Sequence, residues 1–145
     1  MALQKQVAAL PLRRTKDGKA EILLVTSRDT GRWIIPKGWP SKRLKDHKAA
    51  AREAKEEAGV KGKIGPKAIG RYSYVKRELA ANGPIDVTVY LLSVRKQYKR
   101  WPEQTERNRA WFAIEGAADK VDDAELSLLI KALELLRSVP KKRKP

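Results

Sequence analysis

The chain has 145 residues, a length that suits one domain with its own apolar core. It contains no cysteine, which excludes a disulfide framework and a thiolate metal site. No stretch approaches the roughly 18 apolar residues of a membrane span, and the first residues lack the apolar run of a signal peptide. We therefore expect a cytoplasmic protein with no membrane partner.

The charge is strongly positive, with 33 Lys and Arg against 17 Asp and Glu and a formal net charge of +16. Such a field attracts polyanions, which include small phosphate compounds and nucleic acids. The charge alone does not choose between these partners, and a solubility role or a basic proteome is an alternative explanation. We favour a small polyanionic phosphate substrate over nucleic acid, and the sequence leaves the oligomeric state unassigned.

The first quarter of the chain predicts three strands. Residues 6–12 are apolar and β-compatible, and Pro11 is expected to break that strand because proline lacks an amide hydrogen. The polar residues 13–18 contain an Asp-Gly pair, which is typical of a hairpin connection. Two further strands are predicted at residues 21–26 and 32–35, the second ending before a proline.

A helix is predicted from near Asp46, a favourable N-cap residue, to Gly59, which suits the left-handed position after a helix. One side of this helix is small and apolar, so it can approach a sheet closely. Its alanines are Ala49, Ala50, Ala51, Ala54 and Ala58.

The other side of the same helix carries acidic residues. Offsets of three and four place Glu53, Glu56 and Glu57 on one face, within reach of a shared ligand. Hard oxygen ligands favour Mg²⁺ or Mn²⁺, and Mg²⁺ is usually held by a few carboxylates together with phosphate oxygens. The alternative is a solvated helix face on which Arg52 pairs with Glu56.

The second half predicts more strands and a final helix. Residues 68–76 and 85–94 form a predicted hairpin with a turn at 80–84, the second strand being central, and residues 109–114 add another strand. The last helix is predicted to start at Asp122 and Asp123, with Glu125 placed as in a capping box. Its predicted core residues repeat at helical spacing: Leu126, Leu129, Ile130, Leu133 and Leu136.

This order of elements predicts an α/β fold, an α/β/α sandwich with a mixed β-sheet. We expect a single domain over residues 1–139. Residues 140–145 form a basic run that we expect to be disordered, and a nuclear-localisation signal is the less favoured interpretation.

Residues 38–60 resemble the Nudix box, which is a glycine, five residues, a glutamate, seven residues and then R-E-U-x-E-E-x-G-U, where U is aliphatic. Leu44 stands where the pattern has its first glutamate, and Ala54 occupies the first aliphatic position. The sequences at 23–28, 32–36 and 109–112 look like the diphosphoinositol polyphosphate phosphohydrolase branch, which extends the resemblance over about residues 5 to 138. The matching box positions are Gly38, Arg52, Glu53, Glu56, Glu57, Gly59 and Val60.

The resemblance implies a Nudix-type α/β/α sandwich and a hydrolase that cleaves a phosphoanhydride bond with Mg²⁺ or Mn²⁺. Glu56 and Glu57 would bind metal, and Glu53 would bind metal or accept the proton of the attacking water. Arg52 would orient the glutamates through charge-assisted hydrogen bonds, and the carbonyl of Gly38 would approach a metal.

The resemblance also suggests phosphate contacts. Arg28, Lys37 and Arg109 match basic positions around the pocket of that branch, with Arg32, Lys42 and Arg43 as weaker candidates; solvated surface charges are the alternative. Glu103 and Glu106 are candidate carboxylates to replace the one missing at Leu44. Trp39 is a candidate stacking platform, although packing is the more common role of tryptophan. The single histidine, His47, is expected at the helix surface.

Three hypotheses follow. The first is a metal-dependent pyrophosphohydrolase that acts on diphosphoinositol polyphosphates or dinucleoside polyphosphates. The second is an enzyme that removes pyrophosphate from an RNA 5′ end, which the net charge would also suit. The third, motivated by Leu44, is a catalytically weak phosphate-binding module.

Overall fold

The computed structural model describes residues 4–138, apart from the side chains of Arg77 and residues 136–138. The predicted core residue Leu136 and the basic tail at 140–145 therefore lie outside the described part. The helices are α1 (Asp46–Ala58), α2 (Ile114–Lys120) and α3 (Ala124–Ser138), with a 3-10 turn at Arg77–Asn82. The strands are β1 (Gln4–Arg14), β2 (Ala20–Thr26), β3 (Trp33–Ile34), β4 (Lys37–Gly38), β5 (Val60–Ile64), β6 (Gly70–Tyr74), β7 (Ile85–Gln97) and β8 (Arg109–Ala113).

The strands form one mixed sheet in the order β3-β2-β1-β7-β5, with β4 on β1, β6 on β7 and β8 on β2. β1 runs parallel to β7 over a long ladder from Gln4 opposite Ile85 to Leu12 opposite Ser93. The other pairs are antiparallel, including the predicted β1–β2 and β6–β7 hairpins. β7 is central, as its long apolar stretch predicted.

Each strand contributes side chains to two separate cores because neighbouring side chains point to opposite faces of a sheet. On β2, Leu23 and Val25 pack in the cluster that contains α1, whereas Ile22 and Leu24 pack in the cluster that contains α2 and α3. This arrangement confirms the α/β/α sandwich. On α1 the fully buried alanines are Ala49, Ala50, Ala54 and Ala58.

The expected break at Pro11 is wrong, because β1 continues through it. Ala9 donates its N–H to the Pro36 carbonyl at 3.0 Å, and the hydrogen that Pro11 lacks would point to the same edge. At that edge the register passes from β4 pairs ending at Ala8 to β2 pairs beginning at Leu12. No ladder hydrogen bond is lost there.

Strands β4 and β5 and helix α2 are absent from the sequence prediction. β5 pairs with β7 across a register shift between Lys61 and Gly62. A Cβ at Gly62 would overlap the backbone carbonyl of Ser93, so the glycine serves close strand approach there. α2 follows β8 directly and buries Ile114 against the sheet.

α3 starts at Ala124, close to the predicted position, and Leu126 and Ile130 are fully buried. Glu125 does not complete a capping box, since its Oε1 accepts a hydrogen bond from the backbone N–H of Ser73 at 3.0 Å. This bond ties α3 to β6.

Among the described residues, no helix combines the length and apolar character needed to cross a membrane.

Candidate functional site

The C-terminal end of α1 is fixed by two residues from beyond β7. Gly59 adopts φ 64° and donates its N–H to the Lys55 carbonyl at 3.1 Å, which confirms its predicted capping role. A Cβ at Gly59 would lie 2.6 Å from Arg109 Nη1 and 2.7 Å from Trp101 Cδ2. At the other end, the N-cap residue is Lys45 and Asp46 is the first helical residue, one position from the prediction.

Arg109 is bound to the backbone at the end of α1. Its Nη1 donates to the carbonyl oxygens of Ala58 at 2.8 Å and Gly59 at 3.3 Å, and its Nη2 donates to that of Tyr98 at 2.6 Å. The guanidinium also lies 3.7 Å from the centre of the Trp101 ring. The donors of Arg109 are thus directed at the end of α1 and not into the cleft described below, so the geometry does not support the predicted contact with substrate phosphates, which stays a prediction.

Glu53 lies against the backbone of Gly38. The pairing of β4 with β1, with Gly38 opposite Val7, holds this backbone beside α1. A Cβ at Gly38 would lie 2.6 Å from Glu53 Oε1 and overlap the carboxyl group, so only glycine permits the contact. Burial, followed by the charge of Glu56, raises the pKa of Glu53.

Glu57 is the most enclosed acidic group of the helix, with 5% of the residue exposed. Its Oε1 accepts the backbone N–H of Lys37 at 3.2 Å, and its Oε2 lies 3.5 Å from Arg107 Nη2. Burial raises the pKa of Glu57 to about 7, although the charge of Arg107 opposes the shift. The carboxyl group is therefore held in one orientation and poorly solvated.

Arg107 organises the loop before β8 and was not among the site residues predicted from the sequence. Its Nε donates to Glu103 Oε1 at 2.9 Å and its Nη1 donates to the Thr26 carbonyl at 3.1 Å, in addition to the contact with Glu57. Arg28 approaches the same loop, 3.9 Å from Glu103. The surrounding residues 102–108 are polar, and the only local signal was the four-residue spacing between Glu103 and Arg107.

Lys37 forms the opposite side of the site. Its Nζ lies 4.9 Å from the centre of the Tyr74 ring, and Glu57 and Asp123 provide nearby negative charge. Burial lowers the pKa of Lys37, against the effect of these two acids. The Tyr74 hydroxyl donates to Gln6 Oε1 at 2.7 Å, and burial raises the pKa of Tyr74 to about 12.

One cleft of about 1010 Å³ contains most of these groups. Of the residues expected from sequence, it is lined by Arg28, Arg32, Lys37, Gly38, Trp39, Glu53, Glu57 and Glu103. Arg107 also lines it, whereas Arg52, Glu56, Arg109, Lys42 and Arg43 do not.

A sequence model of the NUDIX domain matches residues 3–133, which is most of the chain. The chain belongs to the Nudix family. It is 33% identical over 114 residues to Nudix hydrolase 16, mitochondrial, of Arabidopsis thaliana, covering 72% of this chain and 63% of that protein. It is 35% identical over 117 residues to human diphosphoinositol polyphosphate phosphohydrolase 3-alpha, covering 79% and 66%.

The chain thus spans about three-fifths of the length of the curated Nudix relatives it matches. Among solved structures, a binary complex of the Caenorhabditis elegans Ap4A hydrolase superimposes with a TM-score of 0.76 and 25% identity. That match covers 94% of this chain and 98% of the other. The Nudix architecture therefore extends across both layers of helices.

Two positions of the Nudix box have surroundings that bear on its predicted chemistry. Arg52 is exposed and forms no hydrogen bond or ion pair with the described residues, so it does not hold the glutamates through charge-assisted bonds; its charge lowers the pKa of Glu53. Leu44, which stands at the position of the first box glutamate, is 37% exposed, and its N–H donates to Ser41 Oγ at 3.2 Å. Glu103 lines the cleft, whereas Glu106 is exposed and does not line it.

The carboxyl oxygens at this site are ligands of the type that a hard divalent cation prefers. Glu53 and Glu57 are carboxyl groups withdrawn from water, and burial raises the pKa of both against the opposing charge of Arg107. As the side chains stand in the described part of the chain, no three Asp, Glu, His or Cys groups are arranged to hold a metal ion. The residues fit in type and charge, while the three box glutamates do not converge.

Proposed function

We propose that this Nudix chain is a metal-dependent pyrophosphohydrolase that cleaves a phosphoanhydride bond of a small polyanionic substrate, with Mg²⁺ or Mn²⁺ as cofactor. The substrate candidates are diphosphoinositol polyphosphates and dinucleoside polyphosphates, the compounds that appear in the names of the human and C. elegans relatives. The observation that carries the proposal is the Glu53 carboxyl group packed on the Gly38 backbone, inside a cleft shared with the buried Glu57.

The proposed roles of the side chains follow from their surroundings. A bound divalent cation would neutralise the carboxylates and polarise the phosphate oxygens. Glu57, fixed by Lys37 N–H and Arg107, is a ligand of constant orientation. Glu53 has a raised pKa and is suited to accept a proton from water. Lys37 and Arg28 line the cleft and supply positive charge toward phosphate oxygens.

The test compares wild type with Glu53→Gln on a panel of substrates in Mg²⁺. The panel contains a dinucleoside tetraphosphate, a diphosphoinositol polyphosphate, a nucleoside triphosphate and triphosphorylated RNA. We expect wild-type turnover of at least one compound and a fall in kcat of about 100-fold or more in the variant. Glu115→Gln, an exposed site on α2, is the matched control. Unchanged turnover in Glu53→Gln would exclude the assigned role.

A second candidate, a phosphate-binding module with weak catalysis, is favoured by one observation. The box glutamates do not converge among the described residues, and Leu44 replaces a carboxylate of the pattern. This candidate predicts that wild type binds members of the panel but turns over none of them in Mg²⁺ or Mn²⁺. Turnover of a single compound that depends on Glu53 would exclude it.

A further inference from the structure

Three of the four tryptophans have partners that explain them. Trp33 makes an edge-on contact with Phe112, with ring centres 5.2 Å apart. Trp101 stacks under Arg109 and donates its Nε1–H to the Glu57 carbonyl at 3.1 Å. Trp111 lies beneath Arg13, 4.1 Å from the guanidinium carbon, and donates to a glutamine side chain. These three rings therefore make contacts that stabilise the fold.

Trp39 is different. It is 47% exposed, and among the described residues it has no hydrogen bond, aromatic contact or cation–π contact. It follows Gly38 directly, so the β4–β1 ladder that positions Gly38 beside Glu53 also fixes the start of Trp39. A large aromatic ring without a partner lies one residue from the proposed reaction site.

The apolar character continues along the same cleft. Of the five exposed large apolar side chains in the described residues, two line this cleft: Trp39, and Val75 with 62% exposure. Ile34 and Ala80 add to its apolar lining. Exposed apolar groups gathered in a cleft typically mark a ligand surface, whereas single ones scattered on a protein do not.

The cleft lining lacks the net positive charge of the whole chain. Although the chain carries a net charge of +16, the cleft lining is balanced. Its basic residues are Arg28, Arg32, Lys37, Lys76 and Arg107. Its acidic residues are Asp29, Glu53, Glu57, Glu78 and Glu103.

Several of these cations are already engaged. Arg107 pairs with Glu57 and Glu103, and Arg32 lies 3.2 Å from Asp122. Arg28 lies 3.5 Å from Glu106 in an exposed and therefore weak pair, so it remains able to contact one phosphate chain. A substrate with phosphates around its whole perimeter requires an excess of free cations, which this lining does not offer. A substrate with a short phosphate chain and an uncharged aromatic end matches a balanced lining with one apolar side. The volume of about 1010 Å³ has room for both parts.

We infer that Trp39 is a stacking platform for a nucleobase, and that the site therefore selects nucleoside polyphosphates over diphosphoinositol polyphosphates. This inference rests on the proposed function, whose bond cleavage it leaves unchanged. Val75 and Ile34 extend the apolar side, and the phosphate chain runs from Trp39 toward Gly38 and Glu53. Trp39 determines which substrate binds and does not contact the reacting atoms.

The test uses Trp39→Leu, which keeps an apolar side chain but removes the aromatic face, and Trp39→Phe, which keeps an aromatic face. For a dinucleoside tetraphosphate we expect Trp39→Leu to lower kcat/KM by about 5-fold to 150-fold, mainly through KM. Trp39→Phe should retain activity within about threefold of wild type. Inorganic tripolyphosphate, which has no base, should be turned over equally by all three proteins. Leu128→Ala, a matched exposed apolar site on α3, is the control.

A binding measurement separates this inference from the proposed function. The probe is a non-hydrolysable dinucleoside polyphosphate, titrated by calorimetry and by tryptophan fluorescence. Loss of binding in Trp39→Leu, with retention in Trp39→Phe, supports the platform even if wild type hydrolyses nothing. If Trp39→Leu and Trp39→Phe both bind the probe as tightly as wild type, the inference is overturned. A wild-type preference for a diphosphoinositol polyphosphate would also overturn it. Hydrolysis of that compound would still agree with the proposed function.

Discussion

Arg107 Nη2 lies 3.5 Å from Glu57 Oε2, and each side chain is only 7% exposed. A box glutamate on α1 is therefore held by a residue of the loop before β8. The same guanidinium binds Glu103 and the Thr26 carbonyl, so three segments of the chain meet at one side chain. Losing one partner of such a pair leaves a buried charge without compensation.

Replacing Arg107 with Met should therefore lower the free energy of unfolding by about 3–5 kcal/mol. The affinity for Mn²⁺ alone should also change, because Glu57 and Glu103 lose their orientation. Urea denaturation and calorimetric titration measure the two effects. The control is Arg71→Met, whose exposed pair with Asp86 at 3.9 Å should contribute less than about 1 kcal/mol. Equal losses in both variants would contradict the role of Arg107.

Gly38→Ala should reduce kcat by about 100-fold, because the added methyl group displaces the Glu53 carboxyl group from its place on the backbone. Steady-state kinetics measure the effect, with unfolding monitored to separate it from instability. Gly65→Ala is the matched control, since a Cβ there would meet only the Leu91 carbonyl at an ordinary 3.7 Å. Wild-type kcat in Gly38→Ala would show that the close approach is not used.

Glu57 should make stability depend on pH. Its pKa rises from 4.5 to about 7 on folding, so between these values the folded protein binds more protons than the unfolded chain. The free energy of unfolding therefore falls as pH increases through this window. Because Glu57→Gln lacks this titrating group, its free energy of unfolding should increase by about 3 kcal/mol relative to that of wild type between pH 4.5 and pH 7.

This pH effect is measured by denaturation of both proteins in a chelator, so that divalent cations are removed. The difference between the two proteins isolates the Glu57 carboxyl group from other titrating residues. A difference that stays constant from pH 4.5 to pH 8 would be incompatible with the raised pKa.

Arg109→Met should destabilise the fold without changing substrate affinity. The variant leaves the carbonyls at the end of α1 and that of Tyr98 without their donor, which costs about 2–4 kcal/mol. At a temperature where the variant is folded, KM should remain within about twofold of wild type. A tenfold rise in KM with unchanged stability would restore Arg109 as a substrate-binding residue.

Leu44→Glu restores the missing carboxylate of the box. Because Leu44 is 37% exposed, the free energy of unfolding should change by less than about 0.5 kcal/mol. Affinity for Mn²⁺, measured by calorimetry, should stay the same or increase. A loss of several kcal/mol in stability would instead mean that Leu44 packs against the protein.

Local features of this site could be predicted from the sequence. The positions of Glu53, Glu56 and Glu57 on one face of α1, the buried alanines and the glycine cap all depend on a helical repeat of a few residues. The same holds for the alternating faces of β2. Even the box spacing is local, because Gly38 and α1 are joined by one short loop.

Only the tertiary structure decided which cations enter the cleft. Arg107 and Arg109 are two residues apart and look alike in the sequence, yet one reaches Thr26, 81 positions away, and the other Ala58, 51 positions away. Likewise, Trp39 makes no hydrogen bond, aromatic contact or cation–π contact with the described residues, while Trp101 is stacked under Arg109. Burial of a charge or an aromatic ring depends on contacts between distant segments, and no short sequence window contains both sides of such a contact.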